Sequence, residues 1–246
     1  MLSDQFAFRP TGSTTACLAY VFHHTTRLLA DNKFVRCLLV DFSKAFDTVP
    51  HSIFLEKLET IGCPRHVISW LASYLTDRTQ SISTPAGPSP PLPITRSIIQ
   101  GSGIGPTSFV AYIADLQPLC SVNIYSKYAD DLTILNPESS PVSLTDEFNH
   151  VQHWADTNQL KINITKTKEI VFHRSHARRS DTPIQIDNIQ QVDCVKLLGV
   201  LFNDNLSFCP HVNALITAHS TSASTFLASS VGRDLTCMVS KQFSSP

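Results

Sequence analysis

Four residues near the middle of the chain, Tyr128-Ala129-Asp130-Asp131, restrict the possible folds more than any other stretch. Residues 122–127 before them and 132–135 after them are short and rich in β-branched and aromatic side chains. That pattern predicts two strands joined by a tight turn, with two adjacent carboxylates at the hairpin tip. Adjacent like charges repel. Either both are simply solvated in a turn, or a divalent cation holds them, since hard cations such as Mg²⁺ take carboxylate oxygens. A second acid bears on the choice. Residues 35–40 form an apolar run that ends in Asp41, as a buried strand with a carboxylate at its C-terminal end would. If that strand ends beside the hairpin, Asp41, Asp130 and Asp131 share one sheet edge. Three carboxylates there can hold two cations, an arrangement that stabilises both the attacking and the leaving oxygen of a phosphoryl transfer.

Length and composition set wide bounds. The 246 residues suffice for one large domain or two small ones, and 42% hydrophobic residues suit a globular chain. The formal net charge of -1 lends no whole-chain support to nucleic-acid binding, so any such support must come from local patches. The seven cysteines are scattered and form no C-x-x-C pair, which argues against structural zinc and a disulfide framework. No secretory signal and no bilayer-spanning apolar run is visible, so the expectation is an intracellular protein, nuclear or cytoplasmic, not secreted and without a membrane partner.

Along the chain, residues 14–29 read as a helix with Ala16, Ala19, Tyr20 and Phe22 on its apolar face. After Asp41, Asp47 or Thr48 can cap a helix with Pro50 near its start, buried through Ile53, Phe54, Leu55, Leu58 and Ile61 and ended by Gly62. A further helix carries Val67, Ile68, Trp70, Leu71, Tyr74 and Leu75. Residues 84–93 hold five prolines and read as an exposed loop between edge strands at 80–83 and 94–98 rather than a domain linker. Helices are expected at 106–119 and 144–160, strands at 170–172 and 194–202, the latter interrupted by Gly199, and a Ser/Thr/Ala-rich helix from Pro210 to about Val231. The order suggests an α+β chain built on a ferredoxin-like β-α-β-β-α-β sheet.

Six ordered segments carry a family resemblance: Gln5-Phe6-Ala7-Phe8-Arg9-Pro10 with Ser13-Thr14; Asp41-Phe42-Ser43-Lys44-Ala45-Phe46-Asp47-Thr48-Val49; Gln100-Gly101-Ser102-Gly103-Ile104-Gly105-Pro106; Tyr128-Ala129-Asp130-Asp131; Leu160-Lys161-Ile162-Asn163 with Lys166-Thr167; and Lys196-Leu197-Leu198-Gly199-Val200. From about residue 4 to about residue 208 the chain resembles the reverse transcriptase domain of a non-LTR (LINE-type) retrotransposon. The resemblance implies a polymerase palm at 35–208, a remnant of the fingers at 1–34, and the start of a thumb-like or disordered tail at 209–246, with little or no thumb. It implies an RNA-directed DNA polymerase that joins a dNTP to a primer 3′-hydroxyl on an RNA template with a DNA primer. Two Mg²⁺ ions, or Mn²⁺ in their place, would be held by Asp41, Asp130 and Asp131.

The same resemblance assigns further roles. Phe46 would be the bulky side chain beneath the incoming sugar; read from its own surroundings it is equally a core phenylalanine, as Phe42 beside it supports the loop. Gln100 and Gly101 would lie near the templating base and the nucleotide, although an ordinary helix entry explains the same glycines. Lys166 would stand near the leaving pyrophosphate, and Arg9 would contact template or phosphate. Lys196, Leu198 and Gly199 would support the primer end, the plain alternative being a strand with a bulge. Lys161, Lys166, Lys168, Arg174, Arg178 and Arg179, with His173 and His176 among them, form the one basic stretch, either a phosphate-contact surface or a solvated hairpin. The family carries two further motifs ahead of Gln5, so the rival expectation is a truncated element fragment that keeps the palm and is catalytically inactive. Oligomeric state is left open.

Overall fold

The computed structural model describes residues 3–99, 101–174 and 183–218. It forms two compact units, Met1–Asp193 and Cys194–Pro246.

The first unit begins with α1 (Thr14–Asp31), started by Ser13, whose hydroxyl accepts from the Ala16 amide. Its buried positions are Cys17, Val21 and Thr25, a single stripe of spacing four. None of Ala16, Ala19, Tyr20 and Phe22 is fully buried. The correction has a simple cause: the face against the sheet is filled by a cysteine, a valine and a threonine, of which apolar periodicity registers little.

β1 (Phe34–Val40) leads to α2 (Ala45–Thr48), α3 (His51–Thr60) and α4 (Arg65–Leu75). The region predicted to begin at Asp47 or Thr48 is split, because Pro50 stands between the short α2 and α3 as the residue before His51. A ribbon of four two-residue strands follows: β2 (Thr79–Gln80) with β5 (Leu92–Pro93), and β3 (Ser83–Thr84) with β4 (Gly87–Pro88). Residues 94–98 are not a strand. They instead bond to α2 and its C-terminal cap, with Ser97 N donating to Val49 O and Ile98 N to Phe46 O.

Then come α5 (Gly105–Tyr112), β6 (Ile124–Tyr128), β7 (Asp131–Pro137), α6 (Leu144–Thr157), β8 (Lys168–His173) and β9 (Gln190–Gln191). α5 stops well before residue 119, loosening into three-residue turns in which Leu116 N donates to Ile113 O. The apolar positions expected of it, Phe109, Val110, Tyr112, Ile113 and Leu116, are all buried.

The main sheet has the order β6-β7-β1-β8-β9. β1 runs antiparallel to both β7 and β8, and β6 antiparallel to β7. With helices between β1 and β6 and between β7 and β8, this is the ferredoxin-like β-α-β-β-α-β unit. Alternation along the strands sends Leu38, Val40, Leu132 and Ile134 to one face. There they meet Phe109 and Tyr112 of α5 and Phe148, Val151 and Ala155 of α6. α1 also packs on the sheet, against β6 and β7.

Two buried charges tie the layers. Glu147 on α6 is fully buried and accepts from Asn123 Nδ2 (2.7 Å), the Tyr125 hydroxyl (2.6 Å) and Leu119 N (3.0 Å). Arg36 on β1 donates through Nε to Glu169 Oε1 on β8 (2.6 Å) and through Nη2 to Ile184 O (2.9 Å).

In the second unit, β10 (Cys194–Leu197) and β11 (Val200–Asn203) pair as a hairpin. Leu198 and Gly199 form its turn with φ of 46° and 90°. Two positive φ values close a two-residue turn, so this segment is two strands and not one bulged strand. Residues 209–218 are helical; the rest of the helix expected to about Val231 lies outside the described residues.

Breaking the Arg36–Glu169 pair from one side leaves a charge in the core. Glu169→Leu is expected to destabilise the protein by about 3 kcal/mol in urea unfolding. Arg36→Met with Glu169→Leu should recover most of that loss.

Candidate active site

The site is set by strand register. β1 and β7 pair with Val40 opposite Leu132. One residue further, Asp41 comes beside Asp131. β6 and β7 close with Tyr128 opposite Asp131, which leaves Ala129 and Asp130 as a two-residue turn. Ala129 takes φ of 56°, the left-handed region that a hairpin with right-twisted strands requires. The three acids are thus delivered to one end of the sheet by two strand ends and a turn.

Their mutual charge is visible in their acidity. Burial, then the charges of Asp130 and Asp41, pushes the Asp131 carboxyl up to about 6. Asp130 is raised as well, by burial first and then by Asp41, against the pull of its own backbone amide. The donor chemistry, three hard carboxylate oxygen donors in mutual repulsion, fits a divalent cation. Among the described residues no three His, Cys, Asp or Glu side chains are gathered closely enough to hold an ion as they stand.

Neighbouring segments hold both arms of the site. Gln5 is buried, and its Oε1 accepts from Ala7 N (2.9 Å) and from Ala129 N in the hairpin turn (3.0 Å). Phe6 N donates to Lys127 O (2.9 Å) and Lys127 N to Asp4 O (2.7 Å), so residues 4–6 extend the sheet along β6. The Lys127 side chain is buried beneath this strip. Its Nζ pairs with Asp4 Oδ2 at 2.8 Å and donates to Leu116 O. Burial lowers its pKa, and Asp4 opposes that shift. Gly12 closes the strip; a Cβ there would stand 2.0 Å from Phe6 O. On the other arm, Asn163 N donates to Asp41 O (2.7 Å), Ser43 N to Lys161 O (2.7 Å), and Asp41 N to Thr167 Oγ1 (3.3 Å). Thr167 is fully buried.

The other residues singled out from the sequence fall as follows. Phe42, also expected near the nucleotide or template, is buried and meets Trp154 edge-on. Phe46 is half-buried and stacks on Phe109 at 4.3 Å between centroids. Arg9 donates through Nη1 to Gln5 O (3.0 Å). Gly101 takes φ of 79°; Gln100 lies outside the described residues. Lys166 is exposed, its amide bound to Asn163 O. Lys168 reaches Gln190 Oε1 (2.6 Å). Of the basic stretch, His176, Arg178 and Arg179 lie outside the described residues. Lys196, Leu198 and Gly199 belong to the β10–β11 hairpin of the second unit. The sequence reading gave no role to Lys127, for which a lysine inside a strand was the available signal, and it named Thr167 only as part of the Lys166-Thr167 segment, without its bond to Asp41 N.

Residues 1–202 match the family described as reverse transcriptase (RNA-dependent DNA polymerase). The chain belongs to the reverse transcriptase family. It is 25% identical over 228 residues to the RNA-directed DNA polymerase from mobile element jockey of Drosophila melanogaster, covering 88% of this chain and 25% of that protein. It is 26% identical over 225 residues to the probable RNA-directed DNA polymerase from transposon X-element of the same fly, covering 87% and 24%. The chain therefore spans about a quarter of the length of these relatives. In fold it is similar to apo telomerase from Candida tropicalis truncated from its C-terminal domain, with a TM-score of 0.59, 13% identity, and 83% of this chain and 40% of that one covered. That likeness fits a polymerase palm. Among the described residues, no helix is long and apolar enough to cross a membrane.

The raised pKa of Asp131 gives a signed pH effect. A folded-state pKa above the ordinary 3.8 means the folded protein keeps a proton that the unfolded chain releases. Stability is therefore lost as pH rises through that window to about 6, and stays lower above it. Asp131 remains solvent-exposed, so screening keeps the effect small. Asp131→Asn is expected to raise Tm by about 2 °C near neutral pH in EDTA. Below the ordinary carboxylate pKa, where Asp131 is protonated in both states, thermal scans should show no gain.

Proposed function

We propose that this chain carries the catalytic core of an RNA-directed DNA polymerase of the non-LTR retrotransposon type. The reaction joins the primer 3′-oxygen to the α-phosphorus of a dNTP and breaks the bond from that phosphorus to the pyrophosphate oxygen. The observation that carries the reading is the meeting of Asp41 with the Asp130–Asp131 turn at one sheet end, the Asp41 charge helping to raise the pKa of both turn acids.

Asp41, Asp130 and Asp131 would hold two Mg²⁺ ions, or Mn²⁺ in their place. Bound there, the ions would supply a lowered pKa for the attacking hydroxyl and neutralisation of the leaving pyrophosphate. The rest is positioning by the chain itself. Gln5 fixes the turn that carries Asp130, and the segment 161–167 fixes the backbone of Asp41 and Ser43. Phe46, clamped by Phe109, would lie beneath the sugar of the incoming nucleotide. Gln100 and Gly101 would face the templating base. Lys166, exposed beside this loop, would stand near the leaving group. Arg9 would serve template or phosphate, and Lys196, Leu198 and Gly199 the primer end. The partners are an RNA template, a DNA primer and dNTPs. Support for RNA comes from the family itself and from a Candida tropicalis telomerase of similar fold, determined in complex with a fragment of telomeric RNA.

Primer extension on an RNA template with Mg²⁺ tests the reading. The wild-type chain should extend, and Asp130→Asn should lose at least about a thousandfold in rate. Extension by Asp130→Asn at the wild-type rate would remove the assignment.

A further inference from the structure

One exposed feature is not used by the site described so far. Trp70 and Tyr74 lie on the same face of α4, one helical turn apart. Their rings stack with centroids 6.0 Å apart and planes at 18°. Arg78, just past the helix, places its guanidinium carbon 4.6 Å from the centroid of the Tyr74 ring. Its Nε donates to Tyr74 O at 2.7 Å, which locks the guanidinium plane in place. Indole, phenol and guanidinium form a continuous ladder.

The two ends of this ladder, Trp70 and Arg78, are exposed. α4 buries Ile68, Leu71 and Leu75, and half-buried Tyr74 packs against the same core from the ladder's middle. Trp70 is 56% exposed, an unusual place for the largest apolar side chain in the set. The sequence names it only as one of the helix's large apolar residues, and the structure turns it out to solvent. Two arginines flank it, Arg65 at the start of the helix and Arg78 at the end of the ladder, with Asp77 as the acidic neighbour. Tyr74 also borders a small crevice shared with Ile99, Ser102 and Ile104, so the ladder runs up to the glycine-rich segment.

Stacked planar groups with flanking arginines match unpaired nucleobases on a phosphate backbone. Every base offers a π-face, and the arginines meet the phosphates. A protein partner would more naturally cover a broad apolar patch than a single ladder edged by charge. We propose that Trp70, Tyr74 and Arg78 form a stacking platform for single-stranded RNA, placed to lead an unpaired template toward the glycine-rich segment. The route to the template rests on the polymerase reading above; the binding itself does not.

The test is fluorescence anisotropy of a short, unstructured, labelled RNA with the full chain, together with tryptophan emission. Trp154 is buried, so a quench on binding that disappears in Trp70→Leu reports Trp70. Trp70→Leu is expected to weaken binding about tenfold. Arg78→Gln should weaken it in the same direction. An abasic oligomer of equal length should bind wild type and Trp70→Leu alike. Circular dichroism confirms folding of both variants. If RNA affinity is unchanged in both folded variants, the proposal is overturned. It is equally overturned if the only effect of Trp70→Leu is on self-association in sedimentation, which would make the ladder a protein contact. Primer extension by the same preparation is scored separately. A chain that extends primers yet binds RNA independently of Trp70 overturns the platform alone. One that binds through Trp70 yet extends nothing overturns the polymerase reading alone.

Discussion

The pairing of β1 with β7 decides where charge accumulates in this molecule. Its register is fixed by apolar alternation, because Leu38, Val40, Leu132 and Ile134 must share the face toward α5 and α6. A slip of β7 by one residue would turn Leu132 and Ile134 to the opposite face from Leu38 and Val40. The same register therefore drives Asp41 against Asp131, although that contact is repulsive. The free energy of burying the core outweighs the cost of crowding three carboxylates at the sheet end. Burial and this repulsion together leave Asp130 and Asp131 as weaker acids than usual, their pKa values raised.

A strained charge cluster needs rigid supports, and two distant segments provide them. Gln5 lies far from the turn in sequence, yet its side chain satisfies the Ala129 amide that the turn would otherwise leave unpaired. Lys127 anchors the same strip from below with a buried ion pair to Asp4. On the opposite arm, Asn163, Lys161 and Thr167 hold the backbone on either side of Phe42, which is itself packed on Trp154. Segments that the sequence presents as separate motifs are joined here by main-chain hydrogen bonds. Arg9, beside Gln5, shares in this arrangement through its bond to Gln5 O.

Much of this was legible before the structure. A continuous apolar run marked β1, β-branched and aromatic residues marked β6 and β7, and the paired acids marked their turn. The long apolar helix α6 was found with its inward residues, since Phe148, Val151, Trp154 and Ala155 repeat at helical spacing. What failed did so for identifiable reasons. The buried stripe of α1 consists of Cys17, Val21 and Thr25, too mixed in polarity to stand out. Hydrophobicity alone did not separate Trp70, which α4 exposes, from Ile68, Leu71 and Leu75, which it buries. The Leu198–Gly199 turn was read as a bulge because leucine is a rare occupant of positive φ. Lys127 and Thr167 act through partners more than ten residues away or through the backbone, and no local pattern encodes such contacts.

The central claim is that Asp41, Asp130 and Asp131 act as one cation-binding unit. It is tested most directly by crystals of the chain soaked in Mn²⁺ and measured for anomalous scattering. The account predicts a peak in direct coordination with carboxylate oxygens of Asp41 and Asp130, absent from crystals of Asp130→Asn. Ordered Mn²⁺ elsewhere on the chain, with the Asp41 carboxylate left uncoordinated, would contradict it.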